Sequence, residues 1–145
     1  MAISTFSQLL SDARSDRGLE RALAAARTAA ENRGRDITVL DLRELTSEFD
    51  FFVIATGSSR RQLHAISDEI GRVLQKQMHD HRLGSEGYAD SRWILQDYGD
   101  VVVHLFEPEA RQYYALDQLW AAARQVPFEA AVLEPAEAPR LRMES

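Results

Sequence analysis

The stretch W-I-L-Q-D-Y-G-D-V-V-V-H-L-F, residues 93–106, contains the clearest strand pattern in the chain. Two runs rich in large apolar residues are separated by the turn-forming segment D-Y-G-D, residues 97–100. Gly99 supplies the positive φ that a tight turn requires. The stretch therefore predicts two short strands joined as a β-hairpin.

Both strands of this hairpin carry large side chains on both faces. Alternation separates Trp93, Leu95 and Asp97 from Ile94, Gln96 and Tyr98, and separates Val101, Val103 and Leu105 from Val102, His104 and Phe106. Two interpretations stay open. Either the sheet is covered on both sides with Trp93 in the core, or one face is an apolar and aromatic patch with an acidic rim, as in protein-binding surfaces. The rim would consist of Asp97, Asp100 and Glu86.

Two further strands are predicted before the hairpin. The stretch F-F-V-I-A-T-G, residues 51–57, is a continuous apolar run of strand-forming residues. Such a run is typical of a central strand with both faces covered by helices. The stretch D-I-T-V-L-D-L, residues 36–42, predicts a strand with two largely apolar faces. With the hairpin, these runs give a mixed sheet of about four strands.

Helices are predicted on either side of the central strand. The first covers residues 19–30 and ends at Gly34 in the manner of a C-terminal glycine. The second follows Ser59, whose spacing to Gln62 has the pattern of a capping box. Its apolar stripe consists of Leu63, Ile66, Ile70, Val73, Leu74 and Met78.

The remaining segments complete a small α/β (α+β) domain. Residues 79–92 are polar and predict an exposed loop. A third helix starts near Pro108 and is predicted to carry on its inner side Tyr113, Leu116, Leu119 and Trp120. We place an N-terminal extension at residues 1–17, the folded domain at residues 18–126, and a mobile C-terminal tail at residues 127–145.

Composition limits the function classes. A chain of 145 residues with 45% apolar and 28% charged residues suits one domain. The chain contains no cysteine, which excludes disulfides, thiolate metal sites and a cysteine nucleophile. No apolar run approaches the roughly 18 residues of a membrane span, and the N-terminal segment lacks the features of a signal peptide. We therefore predict a cytoplasmic protein with no membrane partner.

The formal net charge of −6 points to the chemistry of the partner. A protein that binds nucleic acid mainly through phosphates needs a surplus of lysine and arginine. The charge therefore disfavours dominant, direct nucleic-acid binding. It favours a basic protein partner, because complementary fields speed encounter and suppress wrong pairings.

The turn T-G-S-S, residues 56–59, is the main candidate for chemistry. It joins a predicted strand to a helix N-terminus, a geometry that binds phosphate in other proteins. It lacks the lysine and the spacing of a P-loop. Nucleotidyltransferases also need paired carboxylates for two metal ions, whereas Asp68 and Glu69 are adjacent on a predicted helix. Helix capping explains the serines. The alternative to a non-enzymatic protein is a nucleotide-binding or nucleotidyltransferase-like enzyme that uses the turn from Thr56 to Arg61.

The histidines do not form a metal-binding pattern. His79 and His81 flank Asp80, but a solvated helix end explains them better than a metal site. None of the four histidines has the clustered ligands of a zinc site. We predict no cofactor, no metal and no catalytic residue, and therefore a protein that is not an enzyme.

Several blocks of the chain together resemble one family. The blocks D-I-T-V-L-D-L-R, F-D-F-F-V-I-A-T-G-S-S-R-R-Q-L-H-A-I-S-D-E-I, E-G-Y with W-I-L-Q-D-Y-G-D-V-V-V-H-L-F, and E-A-R-Q-Y-Y-A-L-D-Q-L-W resemble the ribosomal silencing factor, or Iojap, family. The likeness runs from about Arg21 to Trp120. It implies a nucleotidyltransferase-like topology without the catalytic carboxylates.

The resemblance also implies a function. Members dock on the large ribosomal subunit through ribosomal protein uL-fourteen, sterically prevent its joining with the small subunit, and silence translation under nutrient limitation; a role in maturation of the large subunit is also implied. The implied partner-binding residues are Trp93, Leu95, Asp97, Tyr98 and Asp100, with His104 and Glu86 as neighbours. The aromatic residues would act as anchors, and the aspartates would meet basic residues. An unoccupied patch would pair with its own copy as a homodimer; a monomer mass that is independent of concentration in light scattering would exclude this.

Overall fold

The computed structural model describes residues 2–89 and 92–128, and for residues 2–15 it describes the backbone alone. Along the chain the elements are α1 (Ala2–Glu31), β1 (Arg35–Asp41), β2 (Phe51–Thr56), α2 (Arg60–Gly71), β3 (Gly84–Glu86), β4 (Trp93–Asp97), β5 (Val101–Phe106), α3 (Pro108–Tyr114), α4 (Leu116–Leu119) and β6 (Arg124–Gln125). A π-helical segment, Arg72–Gln77, continues α2.

The strands of the described residues form one mixed sheet in the order β3-β4-β5-β2-β1-β6. Strand β2 is parallel to β5 and antiparallel to β1, and β4 with β5 forms the hairpin. All six residues of β2 are buried, which confirms the central strand. The sheet has six strands instead of about four. The two additional strands are three and two residues long, too short to show a periodic pattern, and β3 lies in the segment predicted as a loop.

Helices cover the two faces of this sheet unequally. On one face, which we call the helix face, side chains of α1 and α2 pack with Val53, Ile94 and Val103. On the other face a smaller cluster contains Phe52 and Phe106 and is covered by α3, α4 and the residues that follow them. We call this second face the tryptophan face, because both tryptophans of the chain pack against it.

The end of α1 corrects one prediction. The residue with a positive φ is Arg33 (φ 67°), not Gly34. The N–H of Gly34 donates to the carbonyl of Ala29 at 2.7 Å, and the N–H of Arg33 to that of Ala30 at 3.0 Å, which are the paired bonds of a Schellman motif. A Cβ at position 34 would lie 2.8 Å from the Ala29 oxygen. This close approach, and not the backbone angle, requires the glycine.

The third predicted helix is broken in the structure. Helix α3 ends at Tyr114, and Ala115 adopts a left-handed conformation with φ 49°. Tyr113 and Leu119, both predicted on the inner side, lie before and after this break and are 81% and 71% exposed. Leu116 packs against the tryptophan face, as its pattern predicted.

The packed fold extends slightly past residue 126, the predicted end of the domain. Phe128 is buried in the helix-face cluster. The N–H of Val126 donates to the carbonyl of Val39 at 2.8 Å. The rest of the predicted tail, residues 129–145, lies outside the described residues. Within the described part, no helix has the length and apolar character to cross a membrane.

Candidate protein-binding surface

Five of the seven predicted site residues lie on the tryptophan face. The sheet register places Glu86 opposite Leu95, and Leu95 opposite His104. Residues directly opposite each other on neighbouring strands point to the same side of a sheet. Trp93 and Asp97 are two residues away from Leu95 on β4, so they share this face. The sequence alternation correctly separated the two sets of side chains on β4.

Four of these residues form an accessible strip, which we call the β4 strip: Glu86, Trp93, Leu95 and Asp97. Glu86 is exposed and the other three are half-buried. Helix α3 packs against β5, and the strip lies on the next strands outward, β4 and β3. The covering helices of this face therefore leave the strip partly accessible to solvent.

Trp93 is held in place by neighbouring rings. Its ring centroid lies 4.5 Å from that of Tyr114 and 5.0 Å from that of Phe106. Its Nε1 atom donates a hydrogen bond to Nδ1 of His104 at 3.2 Å. A half-buried aromatic ring fixed in this way offers a large contact area and loses little freedom on binding.

His104 supports Trp93 and does not face the solvent. The residue is 4% exposed, and its ring centroid lies 4.5 Å from that of Phe52. Burial lowers the pKa of His104 to about 4, so the ring is neutral at neutral pH. Because Nδ1 accepts from Trp93, the neutral ring carries its hydrogen on Nε2, which has no partner among the described residues. The structure gives His104 a positioning role.

Tyr98 lies on the helix face, which corrects the expectation that its ring anchors a partner. It is 4% exposed, and its hydroxyl donates to Oε1 of Gln96 at 2.9 Å. Nε2 of Gln96 donates in turn to the carbonyl and the hydroxyl of Ser67 at 2.9 and 2.7 Å. Burial raises the pKa of Tyr98 to about 12. A tyrosine whose hydroxyl is satisfied inside the fold stabilises the domain and is not accessible to a partner.

Asp100 is tied to α1. The guanidinium of Arg21 donates to Asp100 and to Asp80, each at 2.6 Å. One arginine thus joins the helix, the hairpin turn and the segment after α2. The charge of Asp100 is shared with Arg21, so the acidic groups of the predicted site without an ion-pair partner among the described residues are Asp97 and Glu86.

The two carboxylates of the β4 strip are available to a partner. Neither Asp97 nor Glu86 forms an ion pair with any side chain that the structure describes. Oδ1 of Asp97 accepts from the N–H of Gly99 at 2.8 Å, which fixes this carboxylate at the hairpin turn. Gly99 has φ 91°, as the turn prediction requires. The strip therefore combines an aromatic and apolar centre with negative charge at its edge that no described side chain pairs with.

The aromatic surface continues onto α3, although the sequence pattern favoured core packing over a surface role for Tyr113 and Tyr114. Tyr114 contacts Trp93 and is 47% exposed. Tyr113 lies beside it, with ring centroids 5.0 Å apart. Adjacent residues point to different sides of a helix, so the pair Tyr113-Tyr114 could not both have faced inward. The adjacency of the two tyrosines in the sequence therefore indicates that at least one of them faces outward.

The turn from Thr56 to Arg61 is occupied by helix capping. The hydroxyl of Ser59 accepts from the N–H of Gln62 at 3.2 Å, as predicted. Oε1 of Gln62 accepts from the N–H and the hydroxyl of Ser58 at 2.6 and 2.7 Å. The reciprocal bond of the capping box is thus made to Ser58 and not to Ser59. The N–H groups of Ser58 and Gln62 are therefore already used within the turn.

Among the side chains described, no group of three or more histidines and acids is placed to hold a metal ion.

Fold and surface together define a small α/β domain that offers an aromatic strip with an acidic edge. The sequence model of the family described as "Ribosomal silencing factor during starvation" matches residues 15–144. The chain therefore belongs to the ribosomal silencing factor family. This confirms the resemblance found in the sequence.

Three relatives illustrate the similarity. A ribosomal silencing factor of Halalkalibacterium halodurans is 37% identical over 109 residues, which cover 74% of this chain and 92% of that protein. The crystal structure of protein CV0518 from Chromobacterium violaceum superposes with a TM-score of 0.68 at 34% identity, covering 83% of this chain and 98% of that one. The mouse protein named "Mitochondrial assembly of ribosomal large subunit protein 1" is 34% identical over 92 residues, 62% of this chain and 40% of that protein.

Proposed function

We propose that this protein docks on the large ribosomal subunit through its β4 strip and sterically prevents the small subunit from joining. The docking partner is ribosomal protein uL-fourteen, and the result is slower translation under nutrient limitation. The family description, which includes starvation, and the name of the mouse relative, which includes the large subunit, support this assignment. No bond chemistry is needed, and the protein is a binding factor and not an enzyme.

The observation that carries the proposal is the composition of the β4 strip. Trp93 and Leu95 form a half-buried apolar centre, and Asp97 and Glu86 border it without ion-pair partners among the described residues. Binding sites on proteins have this arrangement, with aromatic anchors at the centre and polar groups at the rim. The strip fits a protein surface that has an apolar patch bordered by lysine or arginine.

The affinity that this function requires sets a minimum size for the interface. Occupancy at low concentration requires a Kd near 1 nM, roughly 12 kcal/mol. A stable interface of that kind buries about 1,600 Å² in total, more than four side chains provide. The exposed Tyr113 and Tyr114 extend the aromatic surface beyond the strip. We therefore include α3 in the docking surface.

The acidic edge gives an experiment that leaves the fold intact. In the double variant Glu86→Gln and Asp97→Asn, both charges are removed, and the new amide at position 97 keeps an oxygen for the N–H of Gly99. We expect binding to purified large subunits to weaken by about tenfold or more, with a slower association rate. Sedimentation with isolated subunits and a binding titration measure this.

The matched control is the double variant Asp16→Asn and Glu20→Gln. Both acids are exposed on α1, which packs on the helix face, so the same loss of charge occurs away from the strip. Equal weakening by both double variants would show that only net charge matters and would contradict the proposal. Trp93→Ala is the second test, because it removes the central anchor without changing the charge.

A further inference from the structure

Four arginines are gathered at one end of this acidic protein. We call Arg33, Arg35, Arg60 and Arg61 the arginine cluster. All four residues are exposed. None of them forms an ion pair with another side chain in the described parts of the chain. Among the described side chains, the positive charge of the cluster is therefore not compensated by ion pairs, on a chain whose formal net charge is −6.

Specific contacts hold the two halves of the cluster together. Nε2 of Gln62, which directly follows Arg61 in the chain, donates to the carbonyl of Arg33 at 2.9 Å. Arg35 pairs with Thr56 across β1 and β2, and Thr56 leads into the turn before Arg60. The cluster is thus a product of the fold, since its members come from two segments about 25 residues apart in sequence.

The position of Arg60 and Arg61 is unfavourable for the isolated protein. They are the first two residues of α2, and the first turn of this helix contains no acidic residue. The N-terminus of a helix carries partial positive charge and disfavours cations. The first turn also presents backbone N–H groups that lack acceptors within the helix. Two arginines at this place raise the local positive potential, and an anion from outside would relieve it.

We infer that the arginine cluster binds the sugar-phosphate backbone of ribosomal RNA when the protein is docked. The inference rests on the proposed function, because RNA is the polyanion that a factor bound to a ribosomal subunit meets. Guanidinium groups suit phosphate because their planar donors form paired hydrogen bonds. The cluster retains a positive excess even when the nearby exposed acids Glu31 and Asp36 are counted. The protein thus has two contact surfaces of opposite charge, the β4 strip for protein and the arginine cluster for RNA.

The test compares two double variants on the same helical segment. Arg60→Gln with Arg61→Gln neutralises half of the cluster. Arg72→Gln with Lys76→Gln removes the same charge at the other end, where both residues are exposed. For each variant and for the wild-type chain, the affinity for purified large subunits is titrated at several salt concentrations. Thermal unfolding of each variant is measured alongside.

We expect the cluster variant to bind large subunits about tenfold more weakly near 0.1 M salt, because two arginine–phosphate contacts and the counterions they release are lost. Its plot of log K against log salt should lose a slope of about one for each arginine removed. Its melting temperature should stay the same or rise, because cations leave a helix N-terminus. The control pair should bind with the affinity and salt slope of the wild-type chain.

The outcomes separate this inference from the proposed function. If the wild-type chain binds and the cluster variant matches it in affinity and salt slope, the RNA contact is wrong and the docking proposal stands. If the wild-type chain does not bind large subunits, both are wrong. If binding weakens but ultraviolet cross-linking joins residues 58–62 to a ribosomal protein and not to RNA, the cluster contacts an acidic protein and the inference is overturned.

Discussion

The two faces of strand β4 use neighbouring residues for different purposes. On the helix face, Ile94 and Gln96 are 0% exposed and covered by α2. On the tryptophan face, Trp93, Leu95 and Asp97 are half-buried at the edge of a smaller cluster. Both faces are apolar in sequence, but only one is fully covered by the protein itself. The comparison indicates that one face stabilises the domain, and we propose that the other face binds a partner.

The largest expected effect comes from truncating the two aliphatic neighbours on β4. Ile94→Ala should lower the free energy of unfolding by about 2–5 kcal/mol, because a fully buried side chain leaves a cavity. Leu95→Ala should lower it by about 1 kcal/mol or less, because the half-buried site gains solvent instead of a cavity. Denaturant titration measures both values. For affinity to large subunits the order should reverse, with Leu95→Ala weakening binding more than Ile94→Ala. Equal losses of unfolding free energy in the two variants would contradict the proposed roles of the two faces.

The next effect is a pH dependence that belongs to the tryptophan face. The pKa of His104 is about 4 in the folded protein and near 6.5 when exposed. The unfolded chain therefore binds the proton first as pH falls. The contribution of neutral, buried His104 to the free energy of unfolding should be fully present above about pH 6.5. It should decrease by about 3 kcal/mol as pH falls towards 4, at about 1.4 kcal/mol for each pH unit.

A variant isolates this contribution. His104→Phe keeps a ring in the cluster and removes the titrating group, so the slope of stability between pH 6.5 and 4 should become shallow. Asp41, whose pKa is lowered by hydrogen bonds from Arg43 despite burial, affects stability only at lower pH. An unchanged slope in His104→Phe would show that His104 is not buried as described.

The smallest of the three effects concerns the polar group inside the helix face. Gln96→Leu would leave the Tyr98 hydroxyl and the Ser67 groups without their partner. Unpaired buried polar groups cost about 1–3 kcal/mol, so this variant should unfold more easily despite its apolar side chain. Adding Tyr98→Phe should recover part of the loss. Thermal unfolding of the single and double variants tests this coupling, and a Gln96→Leu variant as stable as wild type would exclude it.

Much of the architecture followed from local pattern. The continuous apolar run of residues 51–57 predicted a buried central strand, and the turn at Gly99 predicted the hairpin, because hydrophobic period and positive φ are local properties. The features that the pattern did not predict, two short strands and a helix break, are also explained by local properties of the chain. Strands β3 and β6 are too short to carry a period, and the left-handed Ala115 interrupts a helical pattern without a glycine or proline to indicate it.

The sequence alone shows which side chains of β4 share a face, because alternation along a strand is fixed by backbone geometry. It also determined the family, through blocks that match in order. The packed fold is needed to show which face the helices cover, and therefore that Tyr98 is buried while Trp93 remains partly accessible. It also brought Arg33 next to α2 through the Gln62 contact. Coverage and clustering depend on contacts between segments far apart in the chain, which no local pattern specifies.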